Sequence, residues 1–442
     1  MWTIRTFVAG CLLLTGTVVW GQNRNEFSLN QAVDYAMQHS TVVKNALLDI
    51  KIQQQSNREI TAMAFPQLQT SLTMNDYLEI PTSLVPGEFT GGAPGTFFPI
   101  RFGTKYNVTG SMEMTQILFD GQIFVGLQAR RAAMEFSNKQ AEVTKEMIKV
   151  NVMKLYYQLL VGRKQMESLE ANIDRFEKLL KDTREIFKNG FAEKLDVDKV
   201  SVQLNNLQTE KTKVASLLDA GNAALKFLMN MPQDDQLVLT DSISESELTG
   251  ISFTDSVSYS KVKEYSLLET GYQLSKYNVR RYQFSSYPTV ALFASYNRNA
   301  QRSEFDFLKS GDWFPASLLG LRLQIPMFNG FARQSRIEKA RLELVKTENS
   351  LEQMRRNIDN NEFQARLRIR SAVSTVEAQR KNMQLAEQVY FVTKLKYEQG
   401  LGSQQEIYNA QTELKVAQNN YYAALYDAVI AGVDYRKATG NL

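Results

Sequence analysis

Residues able to do chemistry are scarce in this chain, and the scarcity is informative. Its 442 residues include one histidine, His39, and one cysteine, Cys11. A protein metal site normally draws three or four ligands together. A Cys-His or Ser-His nucleophile would have to use His39, the only imidazole, which lies in a polar stretch of an amphipathic helix. No glycine-rich phosphate loop opens a helix. The expectation is no enzyme, no metal and no cofactor.

Charge excludes a second class. The 51 lysines and arginines nearly balance the 47 acids, for a formal net charge of +4. That is no footprint for nucleic acid. The basic run around Arg366 and Arg370 places two charges one helical turn apart, as on a solvated face.

The elements that would position functional groups begin with an export signal at residues 1–21. Arg5 supplies its positive end, Phe7 to Trp20 its apolar stretch, and Val19 with Gly21 a small-residue cleavage site. The Val8-Ala9-Gly10-Cys11 segment has the look of a lipoprotein motif, but cleavage there would leave almost no apolar stretch. No later segment offers eighteen consecutive apolar residues, so no transmembrane helix is expected.

The remainder is written twice. Each half reads helix, strand, loop, strand, long helix, glycine break, return helix. Phe119-Asp120-Gly121 matches Phe328-Asn329-Gly330, and Phe187 to Gly190 matches Tyr397 to Gly400. Leu127, Met134, Ala141, Ile148, Leu155 and Gly162 recur every seven residues. So do Ile337, Leu344, Leu351, Ile358, Ala365 and Ala372, offset by 210. Such heptads make helices pack side by side. Without proline, 121–188 and 330–399 would each span roughly 100 Å as helix.

The spacing predicts a first repeat over 22–230, with strands at about 66–77 and 105–118, a long helix at 121–188 and a return helix at 193–230. A linker with some strand content follows at 231–256. The second repeat covers 257–442, with strands at about 288–297 and 317–326 and helices at 330–399 and 403–439. Leu68, Leu72, Met112, Met114 and Leu321 alternate with Gln69, Ser71, Ser111, Glu113 and Arg322. That pattern suits lipid on one face and water on the other, or an ordinary half-buried sheet. The 288–297 segment alternates poorly, because Phe293 falls among small and polar positions. Phe97, Phe98, Phe102, Phe305, Phe307, Trp313 and Phe314, near strand ends, fit either a membrane-interface girdle or burial under folded loops. Four strands cannot close a transmembrane barrel, for which about eight is the minimum. If the strands enter lipid, several chains must share one barrel.

With these residues in place the chain resembles the outer-membrane efflux protein (TolC-like) family. The likeness runs through Phe27 to Ala36, the aromatic-proline strand openings at Phe65-Pro66 and Tyr287-Pro288, the Phe-Asp/Asn-Gly turns and Leu228 to Pro232. It implies a mainly α protomer with a small β part. Three copies would form a 12-stranded outer-membrane β-barrel continued by a long periplasmic α-helical barrel. It further implies a homotrimer, a periplasmic adaptor protein, an inner-membrane transporter and contact with outer-membrane lipid, in efflux or type I secretion.

The resemblance also places a periplasmic constriction at the turns of Gly190 and Gly400. Acidic Asp196 and Glu406 follow six residues after each glycine, and a gating tyrosine matches Tyr397. A bracing arginine of the family is replaced by Gly402, and a second acidic position by Asn409. Helix chemistry offers another reading of the same residues. Ser403 and Glu406 fit a capping box, Asp196 suits a helix start, and Tyr397 could be packing. A periplasmic coiled-coil adaptor without its own channel is the alternative; it explains the heptads but not four alternating strands.

Overall fold

The computed structural model describes residues 24–243, 258–307, 309 and 311–442. The export signal, Cys11 and residues 244–256 of the linker lie outside them. The described chain is mainly helical and divides into two compact units.

One unit comprises residues 45–144 and 257–361 and holds the sheet. Its strands are β2 (Gln67–Asp76), β5 (Tyr106–Phe119), β7 (Thr289–Arg302) and β8 (Phe314–Gln324). They pair antiparallel in that order, leaving β2 and β8 as open edges. The period-two alternation is what builds it. Register aligns Leu68 with Met114 and Ala294 with Leu319, and sets Met112 between Thr70 and Tyr296. Leu72, Met112 and Leu321 therefore share one face. Ser71 and Ser111 oppose each other on the other face, their hydroxyl oxygens 2.6 Å apart.

Phe293, the residue that spoils the alternation, lies on the polar face opposite Gly320. A Cβ at Gly320 would sit 2.7 Å from the Phe293 ring, so only glycine leaves room for it. The Arg322 guanidinium lies 5.1 Å from the centroid of the same ring.

Three sequence boundaries need correction. The 288–297 strand continues as β7 to Arg302, because its polar end keeps pairing with Tyr106 to Gly110 of β5. The strand expected at 317–326 begins at Phe314 and ends at Gln324, before Pro326, which cannot donate to a ladder. The helix expected from 330 starts at Ala332, because Gly330 and Phe331 both take left-handed backbone, at φ of 62° and 65°. Its counterpart, α3 (Gly121–Lys188), starts at once, since the Asp120 carboxylate accepts from the N–H groups of Gln122 and Ile123 at 2.8 and 3.1 Å.

The segment between β2 and β5, expected as loop, contains an antiparallel hairpin of β3 (Thr82–Pro86) and β4 (Phe97–Arg101). Phe98 pairs with Val85 there, while Phe89 and Phe102 are exposed. Phe305 packs edge-on against Tyr106 and Phe307. In this unit α5 (Lys263–Phe284) lies against the first part of α6 (Ala332–Glu398), with Tyr265 and Ile358 buried together.

The other unit comprises residues 24–44, the described part of 145–256, and 362–442. The opening helix of the chain is two helices, α1 (Leu29–His39) and α2 (Thr41–Ala62). They are broken at Ser40, whose ψ of 127° leaves the helical region. Strand β1 (Arg24–Phe27) pairs in parallel with β6 (Gln236–Leu239) from the linker. A core of Ala32, Val152, Tyr156, Leu225, Met229 and Val433 joins α1, α3, α4 (Lys194–Met229) and α7 (Gln404–Ala438). A second core packs Phe176, Leu179, Val200, Leu207 and Ile407. Each such side chain contributes about 1.5–3 kcal/mol on burial.

Heptads set this packing. On α3 the line of Ile148, Leu155 and Gly162 runs on through Leu169, Phe176 and Thr183, all three buried. Gly162 keeps the period without bulk, because a Cβ there would lie 2.7 Å from Leu218. On α6 the line Ile369, Val376, Met383 and Tyr390 ends at Tyr397.

Candidate functional site

The two turns of the helical unit are built alike. Gly190 closes α3 at φ 82°, with its N–H bonded to Phe187 O at 2.9 Å and that of Phe191 bonded to Ile186 O at 3.0 Å. Gly400 closes α6 at φ 71°, with its own N–H bonded to Tyr397 O and that of Leu401 to Lys396 O. Left-handed backbone at these positions is what glycine tolerates.

Asp196 and Glu406 occupy the same place, the third residue of α4 and of α7. Their surroundings differ. Asp196 turns back on its own helix, accepting from the Glu193 N–H at 3.3 Å, and lies 3.9 Å from Lys199. In α7 the cap is Ser403, whose Oγ accepts from the Glu406 N–H at 3.2 Å. The reciprocal half of the box is missing among the described residues: the Glu406 carboxylate makes no hydrogen bond or ion pair and is exposed. Lys199 approaches Gln405 at 3.5 Å, so the first turns of the two return helices are neighbours.

Tyr397 is not brought to either acid. Its ring packs on the core of Phe176 and Ile407, and its hydroxyl is buried without a partner. Burial first, then the charge of Asp182, raises its pKa above the ordinary tyrosine value. Tyr397 lines a cleft of about 260 Å³ with Arg175, Asp182 and Gln411. Arg175 Nε and Gln411 Oε1 are also buried and unpartnered there. Lys178 and Glu398 form a loose pair at 3.8 Å.

Three residues that the sequence reading passed over belong to this region. Gln404, Gln411 and Gln418 stand at heptad spacing on α7, facing α3. Gln418 Oε1 accepts from Ser168 Oγ and Asn172 Nδ2, both at 2.9 Å, and Gln404 Nε2 donates to Thr183 Oγ1. The seven-residue glutamine spacing was the available signal, hidden because heptads are usually sought among apolar residues.

Elsewhere the chemistry is sparse. His39 stacks on Tyr35 with ring centroids 4.0 Å apart, and its Nδ1 lies 3.0 Å from Tyr35 O. Among the described residues no cluster of three His, Cys, Asp or Glu could hold a metal ion. No described helix is long and apolar enough to cross a membrane.

The four-stranded antiparallel sheet, the long helices and the glycine turns make up a fold shared with solved outer-membrane proteins. VceC from Vibrio cholerae superposes with a TM-score of 0.71 at 16% identity, over 93% of this chain and 96% of its own. The CmeC channel of Campylobacter jejuni gives 0.75 at 14%, over 100% and 94%. In sequence, the outer membrane protein TolC of Vibrio cholerae is 18% identical over 337 residues, 76% of this chain and 77% of that protein. Residues 269–441 match the family model described as outer membrane efflux protein. Over those residues the chain is similar to that family, and over most of its length to TolC of Vibrio cholerae.

Proposed function

We propose that this protein is the outer-membrane exit channel of an efflux system, with its sheet in the outer membrane and its long helices in the periplasm. The observation that carries the reading is the sheet. One face presents Leu68, Leu72, Met112, Leu319 and Leu321; the other is mostly glutamine, serine, threonine and asparagine, with Phe293 and Leu318 among them. Lipid outside and water inside account for both faces. The coiled-coil adaptor reading leaves the apolar face unexplained.

The finer reading is a homotrimer. The edges at β2 and β8 are open, and unpaired backbone groups are costly in lipid. Phe363, Leu367, Leu385, Phe391 and Leu395 on α6 are exposed in the single chain, as expected of helices that pack against other copies. Three chains would give twelve strands. A periplasmic adaptor and an inner-membrane transporter then deliver the substrate, and type I secretion uses the same geometry. At the tip, Glu406 is read as a pore-lining acid, Asp196 as an acid held on its own helix, and Tyr397 as a gate residue.

Native mass measurement of detergent-extracted protein, paired with conductance in planar bilayers, tests the proposal. A trimer that conducts is expected. A stable monomer with full β signal and no conductance would overturn it.

A further inference from the structure

The polar face of the sheet carries very few charges. On β2 its ladder positions are Gln67, Gln69, Ser71, Thr73 and Asn75, all neutral. On β5 and β7 the same face adds one charge, Glu113, and on β8 one more, Arg322. Glu113 is level with Ser295 and hence with Leu318, four residues from Arg322. That is about 13 Å along the strand. The guanidinium makes no ion pair among the described residues; its neighbour is the Phe293 ring, laid across Gly320. If copies join edge to edge, the strand beside β8 is another chain's β2, whose polar face brings no acid.

The geometry points to a binding site for small organic anions at Arg322, repeated once per protomer around the wet wall of the barrel. The inference rests on the channel reading above, which puts this face in water. A positive charge shelved on an aromatic face keeps its outward N–H donors free. The acid at the next rung, Asp120, is held by Thr289 and by the first amides of α3 and makes no ion pair with Arg322. The guanidinium is therefore open to a carboxylate, sulfonate or phosphate of the cargo, by the paired hydrogen bonds that suit its planar fork. Glu113, offset along the strand, places an opposite charge further along the path. The wall therefore presents two separated charge belts.

The test uses Ala291→Cys, because Ala291 is the ladder partner of Arg322 on the same face. The sequence has one cysteine, Cys11, so labelling of the unsubstituted protein is subtracted. Reaction rates are measured in outer-membrane vesicles with a sulfonate-bearing and a trimethylammonium-bearing methanethiosulfonate, each scaled to its rate with free cysteine. The scaled anion-to-cation ratio should exceed one, fall at least three-fold with Arg322→Gln, and survive Arg322→Lys. A ratio unchanged by Arg322→Gln would sink the anion site while leaving the channel intact. If Ala291→Cys reacts with neither reagent while Leu321→Cys reacts with both, the face assignment itself fails, and the channel reading with it.

Discussion

The Tyr156 hydroxyl lies 3.0 Å from Asp241 Oδ2, and that contact ties the long helix α3 to the segment that follows β6. The hydroxyl also reaches Phe27 O at 2.9 Å, and the Asp241 N–H donates to it at 3.4 Å. Asp241 Oδ2 accepts from the Leu29 N–H, the first amide of α1, at 2.7 Å. One carboxylate thus serves a helix start and a tyrosine on a different helix, beside the β1–β6 pair.

Tyr156→Phe should lower stability by about 1–3 kcal/mol, because the buried partners lose a donor. Burial first, and then the bond to Asp241, holds the Tyr156 pKa above its ordinary value of 10.0. The folded state keeps this proton longer than the unfolded one. The stabilisation is therefore complete below pH 10 and declines as pH rises beyond it. Denaturant melts at pH 8 and pH 11 should show a smaller alkaline loss in Tyr156→Phe than in wild type. Equal loss in both would remove Tyr156 from the account.

Charges on the two faces of the sheet should behave differently. Leu72→Lys, Met112→Lys or Leu321→Lys should impair membrane insertion, costing about 2–4 kcal/mol near the midplane. Ser71→Lys or Ser111→Lys should insert with much less loss. Folding yields into lipid vesicles give the comparison, and equal damage from both sets would mean the face assignment is wrong.

Glu406→Gln keeps size and polarity while removing the exposed carboxylate. Since Ser403 supplies the cap, thermal stability should stay within about 0.5 kcal/mol. Cation selectivity in single-channel recordings should fall, because a ring of carboxylates attracts cations. Loss of stability with unchanged selectivity would return Glu406 to a capping role.

Tyr397→Phe removes a buried hydroxyl that has no partner, so the variant should be as stable as wild type or slightly more so. If the hydroxyl finds its partner only in a closed assembled tip, conductance should rise. A clear drop in thermal stability without any change in conductance argues for packing alone.

The readable parts of the fold were those written as periods. Heptads placed α3 and α6, and alternation gave three of the four strands their faces. What stayed hidden depends on distant partners. The pairing of Arg24–Phe27 with Gln236–Leu239 joins two four-residue segments far apart in sequence, with no local signature. The polar end of β7 is held by its ladder to β5 rather than by apolar burial. Phe293 looked like an error of pattern until Gly320 appeared opposite it. The family resemblance singled out Asp196 and Glu406, each six residues after a glycine. Their difference could not be read from the sequence, because it depends on Lys199 and on Ser403 capping alone.

The glutamines of α7 bear on how such a protein can move. Gln404 and Gln418 are fastened to α3 at points two heptads apart, about 21 Å along the helix. Sliding one helix past the other by a single residue would take from Gln418 its donors Ser168 and Asn172 and from Gln404 its acceptor Thr183. Asn172 and Thr183 would keep their bonds to Ser168 O and Leu179 O on their own helix. The pair α3–α7 is thereby latched in one register, like a key seated on two wards. Any rearrangement of this unit that keeps these bonds must then carry the two helices together, as one lever.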